Sequence, residues 1–168
     1  IALAAPEKVG IDRLLGAVAA NHLRAADQPA IAIDVGSAIT IDVIDAAGVF
    51  RGGAILPGIG MGARALHTFT DLLPQSELSD LTASPPEPVG IDTVAAIHAG
   101  LFWGAIGAMR EIVFRVQHQL DRPPLVLLTG GAAPLVAELL AGQPSPMSIQ
   151  CVPHLVLGGT VLARQRQS

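Results

Sequence analysis

The chain has 168 residues, 51% hydrophobic and only 14% charged, enough for one domain with a sizeable core and too apolar for a disordered state. Fourteen Asp and Glu outnumber ten Lys and Arg, for a net charge of −4, and no basic run occurs, which excludes the electropositive face that a nucleic-acid partner needs. The most apolar uncharged stretch, 93–109, contains His98 and three glycines and falls short of the ~20 apolar residues of a membrane span, so it predicts a buried or subunit-facing helix.

In chain order, residues 10–25 predict an amphipathic helix with Asp12 and Arg13 in its first turn and Ile11, Leu14, Leu15, Val18 and His22 on its inner face. Ala30–Val35 is an apolar run that ends in an acid and a glycine, as buried strands of α/β proteins do. Ile39–Ile44 alternates through Thr40 and Asp42, and a turn at 45–48 leads into a third strand over Val49–Ile55. A helix follows over 59–69, with Met61, Ala65 and Leu66 inward, and then an irregular, proline-rich loop or lid over 71–89. The longest helix runs from Asp92 to Leu120, with a kink expected near its glycines. Leu125–Leu128 predicts a buried strand, the segment from about Pro134 a helix, Ser148–Val152 a short strand and 154–166 a closing helix. This order implies an α/β domain in which three antiparallel strands precede parallel ones.

Two segments carry chemistry. In Asp34-Val35-Gly36-Ser37-Ala38-Ile39-Thr40-Ile41-Asp42, a strand ending in an acid turns through glycine and a hydroxyl into a second strand. The backbone N–H groups and hydroxyls of such a hairpin can hold a phosphate, and the acid a hard cation such as Mg²⁺, although a plain polar turn reads the same way. The second strand end, Thr129-Gly130-Gly131, adds glycines where a backbone can approach a ligand, and two such turns describe a nucleotide cleft. Gly10-Ile11-Asp12-Arg13 is either a helix cap with a surface ion pair or a base and an anion-binding fork. The five histidines lie at no metal-ligand spacing, with His67 of interest beside the loop, and Cys151 reads as an inert buried thiol in a reducing cytoplasm. Trp103 with Leu101, Phe102, Ile106 and Met109 predicts a broad apolar face, and glycines 100, 104 and 107 allow a second helix to approach it.

Together these residues resemble the type III pantothenate kinases, of the acetate kinase, sugar kinase, Hsp70 and actin superfamily. The resemblance runs through Gly10–Arg13, Asp34–Asp42, Gly52–Gly58, Thr70–Pro74, Gly90–Thr93 with Gly100, and Thr129–Gly131, to Leu155–Gly159. It implies a ribonuclease H-like or actin-like ATPase domain and ATP-dependent phosphorylation of the primary hydroxyl of pantothenate, the first step towards coenzyme A. Asp12 matches the catalytic base; Gly10, Ile11, Arg13 and Thr93 match substrate contacts; Asp34 matches the ligand of a monovalent cation, K⁺ or NH₄⁺. Gly36, Ser37, Thr40, Gly130 and Gly131 match the ATP and Mg²⁺ side, Ser37 replacing the family threonine. The resemblance also implies a cytoplasmic homodimer. The family's opening Asp-x-Gly-Asn-Thr phosphate loop does not occur in these residues, and the chain begins at Ile1. It is therefore expected to be the C-terminal lobe of a two-lobed kinase, with 1–9 an inter-lobe segment, and inactive alone. Two other readings are a kinase-like accessory protein, which the retained Asp12, Arg13, Asp34 and Thr93 disfavour, and a nuclease using Asp34 and Asp42.

Overall fold

A computed structural model describes residues 1–76, 84–141 and 148–165. After a 3₁₀ turn at Pro6–Lys8, the elements are α1 (Ile11–Leu23), β1 (Ala30–Val35), β2 (Ala38–Ile44), β3 (Phe50–Pro57), α2 (Ile59–Thr68), α3 (Thr93–Gln117), β4 (Leu125–Thr129), α4 (Ala133–Ala141), β5 (Ser148–Cys151) and α5 (Leu155–Gln165). The sheet order is β3-β2-β1-β4-β5; β1, β2 and β3 pair antiparallel, and β4 joins β1 and β5 parallel. This is the predicted mixed sheet.

Strand alternation divides the core in two. Ile31, Ile33, Ile39, Ile41, Val126 and Leu128 point to one face, where Phe102, Ile106, Met109 and Val113 of α3 and Val136 and Leu140 of α4 cover them. Ala30, Ala32, Ile44, Leu125 and Leu127 point to the other, against Ala17 and Ala20 of α1 and Leu155 of α5. Among the described residues no helix is long and apolar enough to cross a membrane.

Four side-chain expectations are corrected. On α1 the buried residues are Gly16, Ala17, Ala19 and Ala20, while Ile11 and His22 are exposed. The cause is close approach: Gly159 of α5 sits where any Cβ would collide with the Leu15 carbonyl, so the helix buries its small face rather than its large one. On α2 the same logic buries Ala63 and leaves Met61 and Ala65 exposed, Gly62 lying against Leu101 of α3. Phe102, Ile106 and Met109 belong to this chain's own core, so the apolar face predicted for α3 is narrower, although Gly100, Gly104 and Gly107 do form an open, exposed row. Cys151, on the outer strand β5, is exposed, not buried.

Residues 77–83 of the proline-rich segment and Arg166 of the closing helix lie outside the described residues. The described flanks of the loop, 71–76 and 84–89, contain no helix or strand. They are fastened to α2 and α3: His67 Nδ1 lies 3.0 Å from the Leu73 carbonyl, Ser76 bonds His98, and Trp103 Nε1 donates to the Pro86 carbonyl at 3.0 Å.

Candidate functional site

The register of β1 places Asp34 between Thr40 of β2 and Thr129 of β4, and Ala32, one pleat back on the same face, beside Asp42. Polar side chains thus occupy one end of a sheet face on which the other residues of β1 and β4, Ala30, Ala32, Leu125 and Leu127, are aliphatic. The first turn of α1 lies over them, and Asp12 and Arg13 join Asp34, Thr40, Asp42 and Thr129 around one hollow of about 20 Å³. A space of that size holds a water molecule, not a nucleotide. A larger cleft, about 760 Å³, lies elsewhere, among Asp27, Arg51, Gln119 and Arg122, and contains none of the predicted site residues. The small hollow is the better candidate because it concentrates half-buried and buried charge, whose burial costs free energy and which gathers at functional sites.

Among the described residues Arg13 is the single cation lining it. Its Nε donates to Asp42 Oδ1 at 2.8 Å, Nη2 donates to the same oxygen, and the guanidinium lies 5.6 Å from the centroid of the Phe50 ring. Asp42 is nearly buried, at 3% exposure, and burial pushes its carboxyl above the ordinary range even against the bond and charge of Arg13; Asp12 and Asp34 push it further. The Asp34 carboxyl is likewise raised, first by burial and then by the charge of Asp12. With Arg13 committed to Asp42, no other cation among the described residues lines the hollow to compensate Asp34, and its donor chemistry fits a hard ion. Among the described residues no three His, Cys, Asp or Glu cluster closely enough to hold a metal alone, so a divalent ion at this place would need ligands from phosphate oxygens. Gly10 leaves room for the Asp12 side chain: a Cβ there would collide with the Asp12 carboxylate.

The raised carboxyl of Asp34 has a consequence for stability. Its value in the folded state lies above the ordinary 3.8, so between 3.8 and that higher value the native protein binds more protons than the unfolded chain. Stability therefore falls as pH rises through this window, and ionised Asp34 is destabilising at neutral pH. Asp34→Asn is expected to raise the melting temperature at pH 7 in cation-poor buffer, with the gain vanishing below pH 3.8. Thermal melts at pH 3.5 and 7 that show the same shift at both would contradict this.

The glycine turns form a second group at the same end of the sheet. Gly36 and Ser37 make the exposed tip of the β1–β2 hairpin, where Gly58 N–H donates to the Ser37 carbonyl at 3.1 Å. Gly130 has φ +99° and presses against the backbone of Val35, where no Cβ would fit. Gly36 and Gly131 then line one apolar cleft of about 250 Å³ with Ile59, Phe102 and Leu135. Two predicted contacts stand apart: Ile11 is 69% exposed, and Thr93, the exposed first residue of α3, lines neither the hollow nor the cleft. Asp92 caps α3 by accepting from the Ala95 N–H at 2.8 Å. Asp42 and Thr129 are additions. The period-2 alternation with Thr40 put Asp42 on the functional face, but a nuclease role for it conflicts with its bonds to Arg13.

A family model described as Type III pantothenate kinase matches residues 1–115. Relatives named type III pantothenate kinase are 36% identical over 163 residues in Gluconobacter oxydans (97% of this chain, 56% of that protein) and 44% identical over 138 residues in Paramagnetospirillum magneticum (82% and 51%). The chain thus spans a little over half the length of these relatives. Among solved structures, a Campylobacter jejuni protein assigned to the Baf family of transcriptional activators superposes with a TM-score of 0.63 at 21% identity, over 96% of this chain and 67% of that one. A ParM mutant superposes with 0.51 at 17% identity, over 89% and 52%. These two likenesses show the fold alone, a mixed five-stranded sheet flanked by helices.

Proposed function

The chain belongs to the type III pantothenate kinase family, and from that premise we propose that it is the C-terminal lobe of an enzyme that transfers the γ-phosphoryl group of ATP to the primary hydroxyl of pantothenate. The reading rests above all on one observation: Asp12 and Arg13 of α1 and Asp34 of β1, from two separate segments of the sequence, line a single hollow at the end of the sheet. Asp12 takes the hydroxyl proton as the oxygen attacks the phosphorus, the bond to ADP breaks, and the attacking oxygen becomes the phosphate ester. Gly10, Ile11, Arg13 and Thr93 serve the acid substrate, and Arg13 suits its carboxylate. Gly36, Ser37 and Thr40 at the hairpin, with Gly130 and Gly131, serve the nucleotide.

Asp34 would hold a monovalent cation, K⁺ or NH₄⁺. Such a cation, with Mg²⁺ carried by the ATP phosphates, would supply positive charge to balance that of the transferring phosphoryl group. A hollow of about 20 Å³ cannot enclose two substrates, which supports a second lobe closing over it and little activity for this chain alone. Homodimerisation in the cytoplasm completes the proposal. The open glycine row on α3, with Leu72 92% and Ile91 99% exposed beside α2 and α3, supports it; sedimentation as a monomer at high micromolar concentration would remove the dimer.

The test is a coupled ADP-release assay on the full-length protein with ATP, Mg²⁺ and K⁺. The expected result is turnover that requires pantothenate and depends on the monovalent cation. Absence of turnover, with no heat of pantothenate binding in calorimetry, would favour the accessory-protein reading.

A further inference from the structure

Asp42 has no place in the proposed chemistry, yet it is among the most buried polar groups of the domain. It faces the hollow from β2, 29 residues from its partner Arg13 in sequence, and the side chains of the pair are 5% and 15% exposed. The form of the bond is informative. Nε and Nη2 of Arg13 both donate to one oxygen, Oδ1, which uses one side of the guanidinium and leaves Nη1 without a partner among the described residues. The Phe50 ring supports the same plane. An arginine in the first turn of a helix otherwise has many rotamers. Here two further carboxylates, Asp12 and Asp34, line the same hollow and compete for it. Had Arg13 bonded Asp12, the base would be masked and the guanidinium occupied by a group the reaction needs free.

We propose that Asp42 is a positioning residue, which holds Arg13 by Nε and Nη2 so that its Nη1 edge stays available for the carboxylate of the acid substrate and Asp12 stays unpaired. The proposal rests on the kinase reading above and adds a division of labour among three acids: Asp12 for the proton, Asp34 for the cation, Asp42 for the arginine. Because the carboxylate end of the substrate does not react, losing its aim weakens binding in the ground state and the transition state alike and raises KM with little change in kcat.

The experiment is steady-state kinetics of the full-length protein with pantothenate and with its uncharged primary amide, for Asp42→Asn, Arg13→Met and the double variant. Asp42→Asn is expected to raise KM for pantothenate about tenfold or more and to leave KM for the amide within about twofold of wild type. A folded Asp42→Asn with the wild-type KM overturns the proposal, and so does an equal rise for acid and amide, which marks mere structural damage. Leaving Arg13 charged and unpaired can itself unfold the protein. If melts show this, the comparison of Arg13→Met with the double variant decides. No further rise in KM for pantothenate supports the proposal, because Asp42 then acts only through Arg13; a further rise above about threefold overturns it. Wild-type protein that does not phosphorylate pantothenate overturns the kinase reading and this proposal together. Turnover with an unaffected Arg13→Met overturns this proposal alone.

Discussion

Asp12→Asn in the full-length protein is expected to lower kcat by about 10²–10⁴-fold, the usual contribution of a positioned general base. The substitution is nearly isosteric and sits at an exposed position in the first turn of α1, so the fold should survive it. What changes is proton affinity. An amide cannot accept the hydroxyl proton, and the loss should appear in kcat with little change in KM for either substrate. A second effect distinguishes this account from simple damage. The charge of Asp12 is one cause of the raised Asp34 carboxyl, so Asp12→Asn should bring that group back towards its ordinary value and strengthen the cation response at mildly acid pH. A variant that keeps wild-type kcat would remove Asp12 from the chemistry.

The largest stability effect is expected at Gly159. This residue lies in α5 against the backbone of α1, and a Cβ there would collide with the Leu15 carbonyl and carbonyl carbon. Backbone atoms cannot rotate aside as a side chain can, so Gly159→Val must push the two helices apart. That separation opens the cluster in which Ala17, Ala20 and Leu155 pack beneath Leu127. Overpacking of this kind costs about 1–3 kcal/mol, and contact with backbone places Gly159→Val at or above the upper end. The neighbour is a control: Gly158 is exposed with open space around its Cβ position, and Gly158→Ala should stabilise the helix by about 0.8–1 kcal/mol. Since α1 carries Asp12 and Arg13, Gly159→Val should also lose activity above its lowered melting temperature. Denaturant titration of the two variants checks the pair, and equal stabilities would contradict the helix contact.

Much of this was legible in order and type. Two apolar runs ending in Asp34 and Thr129 marked the central strands β1 and β4, and the short turns after Gly36 and Asp45 marked the antiparallel arm. Helix faces were less legible, because periodicity follows large apolar residues while close helix packing buries small ones. Ile11 and Met61 are exposed for that reason, and Ala17, Ala20 and Ala63 are buried. Hydropathy says which residues tolerate burial, not which strand is central, and Cys151 is exposed because β5 is an edge strand. At the candidate site, the motifs single out Asp12, Arg13 and Asp34, which line one hollow. The bond between Arg13 and Asp42 depends on α1 crossing the sheet, which no local pattern encodes.

The most direct measurement of the central claim is transfer of ³²P from γ-labelled ATP by the full-length protein, with the product identified by mass and chromatography. Label in the monophosphate ester of pantothenate, made by the wild type and lost in Asp12→Asn, is the predicted result. Label released only as inorganic phosphate, or ester formed equally well by Asp12→Asn, would contradict it.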